Sequence, residues 1–136
     1  NPNLTLLGVD HPHRLPIFSF LVRDTAGQPV HQQLFTRMLS DIHGIQARGG
    51  CACAGPYAHR LLGIGQDQSE ALFAALDAGQ ELAKPGWVRL NLSALMTDDK
   101  ADFVIDCVEQ LAETAEDYAA LYSCDETTAR FARTAA

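Results

Sequence analysis

Apolar residues recur at helical spacing in three parts of the chain, and each part has a recognisable boundary. Gly44 ends the first helix, Asp67 or Ser69 begins the second, Lys84-Pro85-Gly86 stops the second, and Thr97 is a candidate N-cap for the third. The faces predicted to be buried contain Leu34, Phe35, Met38, Leu39 and Ile42 in the first helix, Leu72, Phe73 and Leu76 in the second, and Ala101, Val104, Ile105, Val108, Leu111, Ala112 and Ala115 in the third.

Four other segments have the composition or alternation of β-strands, namely residues 4–7, 17–23, 45–48 and 87–92. The segment 17–23 is apolar on both alternating faces, which predicts a strand covered on both sides. In the segment 87–92, one face is apolar and the other carries Arg89 beside Trp87. The chain therefore mixes helices and strands, while the tail after Tyr118 is left open between a longer helix and an interruption at residues 123–125.

Length and composition restrict the class of protein. With 136 residues the chain is sized for one domain, and its 47% hydrophobic and 20% charged residues are typical of a globular protein. The net charge of −7, without a basic cluster, argues against nucleic-acid binding. No apolar stretch approaches the roughly 18 residues that span a bilayer. The chain is long enough to build a core without disulfides, so its four cysteines favour a location in the reducing cytoplasm.

The segment from Arg48 to Tyr57 places two glycines and two thiols in one short loop after a strand. A nearby cation such as Arg48 favours the nucleophilic thiolate form of Cys51 or Cys53. Two other interpretations stay open. The cysteines are small packing residues, or they form a metal- or partner-binding module together with His59. The Cys-x-Cys spacing is unusual for zinc, so no metal ligand is assigned.

Arg89 is the second candidate for chemistry. A guanidinium on a strand can bind a carboxylate through two parallel hydrogen bonds. The alternative is an exposed arginine that pairs with an acidic side chain of this acidic protein. Cys107 is predicted to be a core residue, and neither Cys124 nor the histidines at 11, 13, 31 and 43 receive a role.

Three stretches give the chain a family resemblance: residues 14–20, residues 48–57 continuing through 59–63, and residues 84–91. From about Arg14 to Ala115 it resembles the C-terminal small domain of class V aminotransferase-like enzymes, a group dependent on pyridoxal phosphate that includes cysteine desulfurases and selenocysteine lyases. The resemblance implies that Arg89 holds the substrate's α-carboxylate, that Arg48 orders the loop beside the substrate, and that Cys53 is the possible catalytic nucleophile.

The same resemblance implies an α+β two-layer small domain, with a mainly antiparallel sheet of about three to four strands packed on helices. It also implies an amino-acid substrate, a homodimer in the full-length enzyme, and a large cofactor-binding domain before Asn1. Neither Lys84 nor Lys100 matches the Schiff-base motif, so this chain alone is predicted to be inactive and to bind no pyridoxal phosphate. Ala52 stands where desulfurases carry a histidine, which leaves transamination, elimination and epimerisation open.

Overall fold

Seven strands, four helices and one short 3-10 turn form the part of the chain that the computed structural model describes, residues 1–9, 13–50 and 55–134. The strands are β1 (Leu4–Leu7), β2 (Ile17–Arg23), β3 (Pro29–Val30), β4 (Arg48–Gly50), β5 (Trp87–Asn91), β6 (Tyr122–Asp125) and β7 (Arg130–Arg133). The helices are α1 (Gln32–His43), α2 (Gly55–Leu62), α3 (Gln66–Asp77) and α4 (Asp98–Ala119), and the 3-10 turn spans Glu81–Ala83.

Five of these strands form one antiparallel sheet in the order β1-β2-β5-β4, with the two-residue β3 also pairing with β2. The strands β6 and β7 form a separate antiparallel hairpin. The predicted α+β class with an antiparallel sheet on helices is confirmed. The sheet has one strand more than the upper prediction because Pro29 and Val30 continue the pairing after the turn at residues 24–28.

The main core lies between one face of the sheet and the helices α1 and α4. Phe20 and Val88 are cross-strand partners on this face, and the ring of Phe20 meets that of Phe35 on α1 edge-on, with centroids 6.1 Å apart. Met38 of α1 and Leu111 of α4 complete the same buried cluster. Successive side chains of a strand point to opposite faces, so Arg89, which follows Val88, belongs to the other face of the sheet.

The predictions for α1 and α4 are confirmed in position and in most of their buried residues. Gly44 ends α1 in the left-handed conformation, with φ 68°, and Cys107 is buried as expected. Ile105, however, is 44% exposed, so its assignment to the core was wrong. It lies at the mouth of an apolar groove between the sheet and α4 rather than inside the packed cluster.

Several other boundaries differ from the sequence predictions. Helix α3 ends at Asp77, well before residues 84–86, and Phe73 is 72% exposed because α3 packs mainly against the 3-10 turn rather than the core. The strand predicted at 45–48 lies at Arg48–Gly50 instead, although Ile45 is buried. Ile17 is 42% exposed, so β2 is not covered on both faces along its whole length.

Within the described ranges, no helix combines the length and apolar character needed to cross a membrane.

Candidate functional site

Two of the predicted site residues, Arg48 and Arg89, lie directly opposite each other on the antiparallel strands β4 and β5. Direct partners in such a pair have Cβ atoms about 4.5–5.5 Å apart and point to the same face of the sheet. Two positive charges in this arrangement repel each other and destabilise the pairing. A bound anion would offset that repulsion.

Both arginines line a pocket of about 380 Å³. Its other walls are the start of α1, the glycines of β4, the segment from Glu81 to Trp87, and the tip of the β6–β7 hairpin at Thr128 and Ala129. Trp87 is 3% exposed and forms a buried apolar surface beside the guanidinium of Arg89. A positive group next to an apolar wall is suited to hold a small organic anion.

Arg89 makes no ion pair with any residue in the described part of the chain. The two ion pairs found there join Arg37 to Asp41 at 2.8 Å and Lys84 to Glu81 at 3.5 Å. The Nε atom of Arg89 is buried and has no hydrogen-bond partner among the described residues. The alternative interpretation, in which Arg89 pairs with an acidic side chain, is therefore not seen among these residues.

Glycines allow the strands and the start of α1 to approach closely at this pocket. A Cβ atom on Gly86 would lie 2.7 Å from the carbonyl carbon of Gly50, and one on Gly49 would lie 3.0 Å from the carbonyl oxygen of Gln32. The side-chain amide of Gln33 donates to the Gly49 carbonyl at 3.3 Å. Gly49 therefore allows close packing of β4 against the start of α1, whereas Gly50 has φ 132°, a conformation that favours glycine.

His31, which received no role from the sequence, lies in the wall of the pocket. It is the N-cap residue of α1, and its Nδ1 accepts a hydrogen bond from the Gln33 backbone N–H at 3.2 Å. Its ring packs against that of Phe131 with centroids 5.3 Å apart. Burial lowers the pKa of His31 below its ordinary 6.5. A hydrogen bond with the Leu82 backbone raises the pKa but offsets only part of this shift. In the sequence, the only indication of this role was the position of His31 just before a predicted helix.

The described residues do not form a site for pyridoxal phosphate. Such a site needs a free lysine for the Schiff base together with partners for the phosphate and the pyridine nitrogen. Lys84 lies at the rim of the pocket and pairs with Glu81, while Lys100 lies in the first turn of α4, away from the pocket lining. This part of the chain offers a wall for an anionic group and no cradle for the cofactor.

The predicted thiols Cys51 and Cys53 lie outside the described residues. His59, the third member of the alternative metal site, already uses both ring nitrogens. Its Nδ1 donates to the Gly55 carbonyl at 2.8 Å, and its Nε2 accepts from the Ser69 hydroxyl, also at 2.8 Å. A histidine must offer a free nitrogen lone pair to bind zinc. A zinc ion at Nε2 would have to displace the Ser69 hydroxyl, and no cluster of three metal-binding side chains occurs in the described ranges.

Comparisons of the chain with protein-family models and with curated proteins find no match. The resemblance to class V enzymes therefore stays a prediction from the residues.

Proposed function

We propose that this chain is the substrate-facing small domain of a pyridoxal-phosphate-dependent class V enzyme acting on an amino acid. In this proposal Arg89 binds the substrate's α-carboxylate. The observation that carries the proposal is the pairing of Arg48 with Arg89 across β4 and β5, at a pocket where Arg89 has no acidic partner among the described residues.

The placement of the three resembling stretches supports the proposal. The first contributes β2, the second begins with β4, and the third contributes β5, and these strands are neighbours in the order β2-β5-β4. Segments far apart in the sequence thus meet on one small area of the sheet. A shared substrate site is one physical reason for chemically distinctive residues in separate segments to converge in this way.

The chemistry available to the chain's own residues is binding and orientation. The two terminal nitrogens of Arg89 form a planar fork that matches the two oxygens of a carboxylate. Arg48 adds a second positive charge from the neighbouring strand, and buried Trp87 excludes water from one side, which strengthens the charge interaction. Together these residues would fix the carboxylate end of an amino acid.

The cofactor is assigned to a large domain in the same polypeptide, because the described residues do not fit it. When bound there, pyridoxal phosphate supplies the electron sink for chemistry at an amino-acid carbon. Cys53 is proposed as the nucleophile on the resemblance alone. In the full-length enzyme, Cys53→Ser should abolish sulfide release from cysteine and preserve the cofactor's visible absorbance, whereas continued release would remove Cys53 from that role.

Binding of L-alanine to the 136-residue protein tests the role of Arg89. Titrations followed by backbone amide NMR should show shifts at Gly49 and Gly50, which line the pocket with Arg89. Alaninamide, which lacks the carboxylate, should bind at least about tenfold more weakly, since a charge-assisted hydrogen bond contributes about 1.5–3 kcal/mol. Arg89→Gln should remove the difference between the two ligands.

Two controls separate binding from a structural role. Arg60→Gln removes one positive charge from an exposed position on α2 and should leave both affinities unchanged. The free energy of unfolding of Arg89→Gln should equal or exceed that of the wild type, because the substitution relieves repulsion with Arg48. Equal binding of alanine by wild type and Arg89→Gln would rule out the carboxylate role.

The coding sequence upstream of Asn1 tests the family assignment separately. The proposal expects a large domain there, with a glycine- and serine-rich cofactor cradle and a lysine preceded by histidine. An upstream sequence without these features would contradict the class V assignment even if Arg89 bound carboxylates.

A further inference from the structure

A second pocket, of about 710 Å³, adjoins the one that contains Arg89. The two share Gln33, Arg48, Thr128 and Ala129 as lining residues. They are therefore two parts of one groove, with Arg48 at the junction. Arg89 belongs to the first part and Arg130, on β7, to the second.

The second pocket is positively charged although the protein as a whole carries a net charge of −7. Of the described residues, its lining contains three arginines and no acidic residue. Arg37 is held by Asp41 at 2.8 Å, whereas Arg48 and Arg130 form no ion pair with any residue of the described ranges. Unpaired cations gathered in a concave surface raise the local concentration of anions.

The tip of the β6–β7 hairpin forms the wall shared by the two pockets, and internal hydrogen bonds hold it in place. The Asp125 carboxylate accepts from the backbone N–H of Thr127 at 3.0 Å and from the hydroxyl groups of Thr127 and Thr128 at 2.7 and 2.9 Å. Ala129, the next residue, has φ 51°. The packing of Phe131 against His31 joins the hairpin to the start of α1. Arg130 is thereby positioned beside the groove.

We propose that the groove binds an amino acid whose side chain carries a second anionic group, with that group held between Arg48 and Arg130. This inference rests on the proposed function, because Arg89 first fixes the α-carboxylate. A guanidinium binds carboxylate and phosphate oxygens through the same fork geometry, so both kinds of acidic side chain share the recognition chemistry. The substrate class is therefore the acidic amino acids rather than neutral ones.

Matched pairs of ligands test the second subsite in the 136-residue protein. Glutamate and glutamine have nearly the same shape and differ in side-chain charge, and phosphoserine and serine make the corresponding pair for a phosphate. At low salt, the acidic member of at least one pair should bind about tenfold more tightly or better, and the pair that responds identifies the acidic group. Added salt should reduce the preference.

Two arginine variants separate this inference from the proposed function. Arg130→Gln should remove the preference for the acidic ligand and leave the affinity for the neutral one unchanged. Arg89→Gln should lower the affinity for both ligands. Arg60→Gln is the charge-matched control and should alter neither. Two results would overturn the second subsite alone, provided that Arg89→Gln still weakens the binding of both ligands. In one, the wild type shows no preference for the acidic ligand. In the other, Arg130→Gln keeps that preference. No effect of Arg89→Gln on either ligand overturns the proposed function as well.

Discussion

The side chains of Arg48 and Arg89 illustrate how single residues can oppose the stability of the element they belong to. Like charges placed directly opposite on neighbouring strands destabilise the pairing of those strands. Within the part of the chain that the structure describes, the buried Nε of Arg89 has no hydrogen-bond partner, which adds a desolvation cost. Costs of this kind are common at binding sites, where the free protein is less stable than the liganded one.

His31 makes the free energy of unfolding depend on pH. Its pKa is lowered from 6.5 by burial in the folded protein. In the pH range between that lowered value and about 6.5, the unfolded state binds more protons than the folded state, so stability rises with pH. Acidification through this range should therefore destabilise the wild type. His31→Asn keeps an N-cap acceptor without the titrating ring, and it should flatten the profile measured by urea denaturation from pH 7 to 5.

His13→Asn is the matched control, because it removes a histidine from an exposed position. Its profile should follow that of the wild type. A His31→Asn protein that loses stability with acid as steeply as the wild type would show that this ring is not responsible.

At the scale of elements, the site depends on how closely β4, β5 and the start of α1 approach one another. Gln32 donates from its side-chain amide to the Lys84 carbonyl at 3.3 Å, and Gln33 donates in the same way to Gly49. These bonds join α1 to both neighbouring segments. The backbone at Gly86 then lies against that of Gly50, which leaves no space for a side chain.

Gly86→Ala should disturb this contact. The added Cβ would lie 2.7 and 2.8 Å from backbone atoms of Gly50, so one of the two segments must move. We expect a loss of about 1–3 kcal/mol in the free energy of unfolding, as for other overpacked sites, and weaker binding of L-alanine. Equilibrium denaturation and the NMR titration measure the two effects.

Gly55→Ala provides the comparison, since a Cβ there meets no atom of the described residues within 4 Å. It should change stability by no more than about 0.5 kcal/mol. If Gly86→Ala and Gly55→Ala were equally stable and bound L-alanine with the same affinity, the close approach at Gly86 would be irrelevant to the site.

At the scale of the whole molecule, stability is concentrated in the cluster between the sheet and the helices α1 and α4. Phe35, Met38 and Leu39 of α1 are fully buried, and Leu111 of α4 is 1% exposed. The helix α3 contributes no buried residue. Unfolding should therefore be governed by this one cluster.

Leu111→Ala should cost about 2–5 kcal/mol, because it removes packed methyl groups and leaves a cavity. Leu95→Ala, at a position that is 95% exposed, should stay within about 0.5 kcal/mol of the wild type. Trp87 is the single tryptophan and is buried, so its fluorescence reports unfolding directly. Comparable losses in the two variants would contradict the placement of the core. Coincident fluorescence and circular dichroism transitions would support two-state unfolding.

Local periodicity determined α1, α4 and β2, because the spacing of apolar residues reports which side of an element is buried wherever that element packs on a core. The same rule was wrong for Phe73 and Ile105, since periodicity does not say whether a partner surface exists. Arg48 and Arg89 were identifiable as candidates by residue type and resemblance. Their placement opposite each other was decided only by tertiary structure, because strand register depends on hydrogen bonds between segments distant in the chain. The roles of His31 and the β6–β7 hairpin in the pocket walls arose in the same way, from packing that no local pattern encodes.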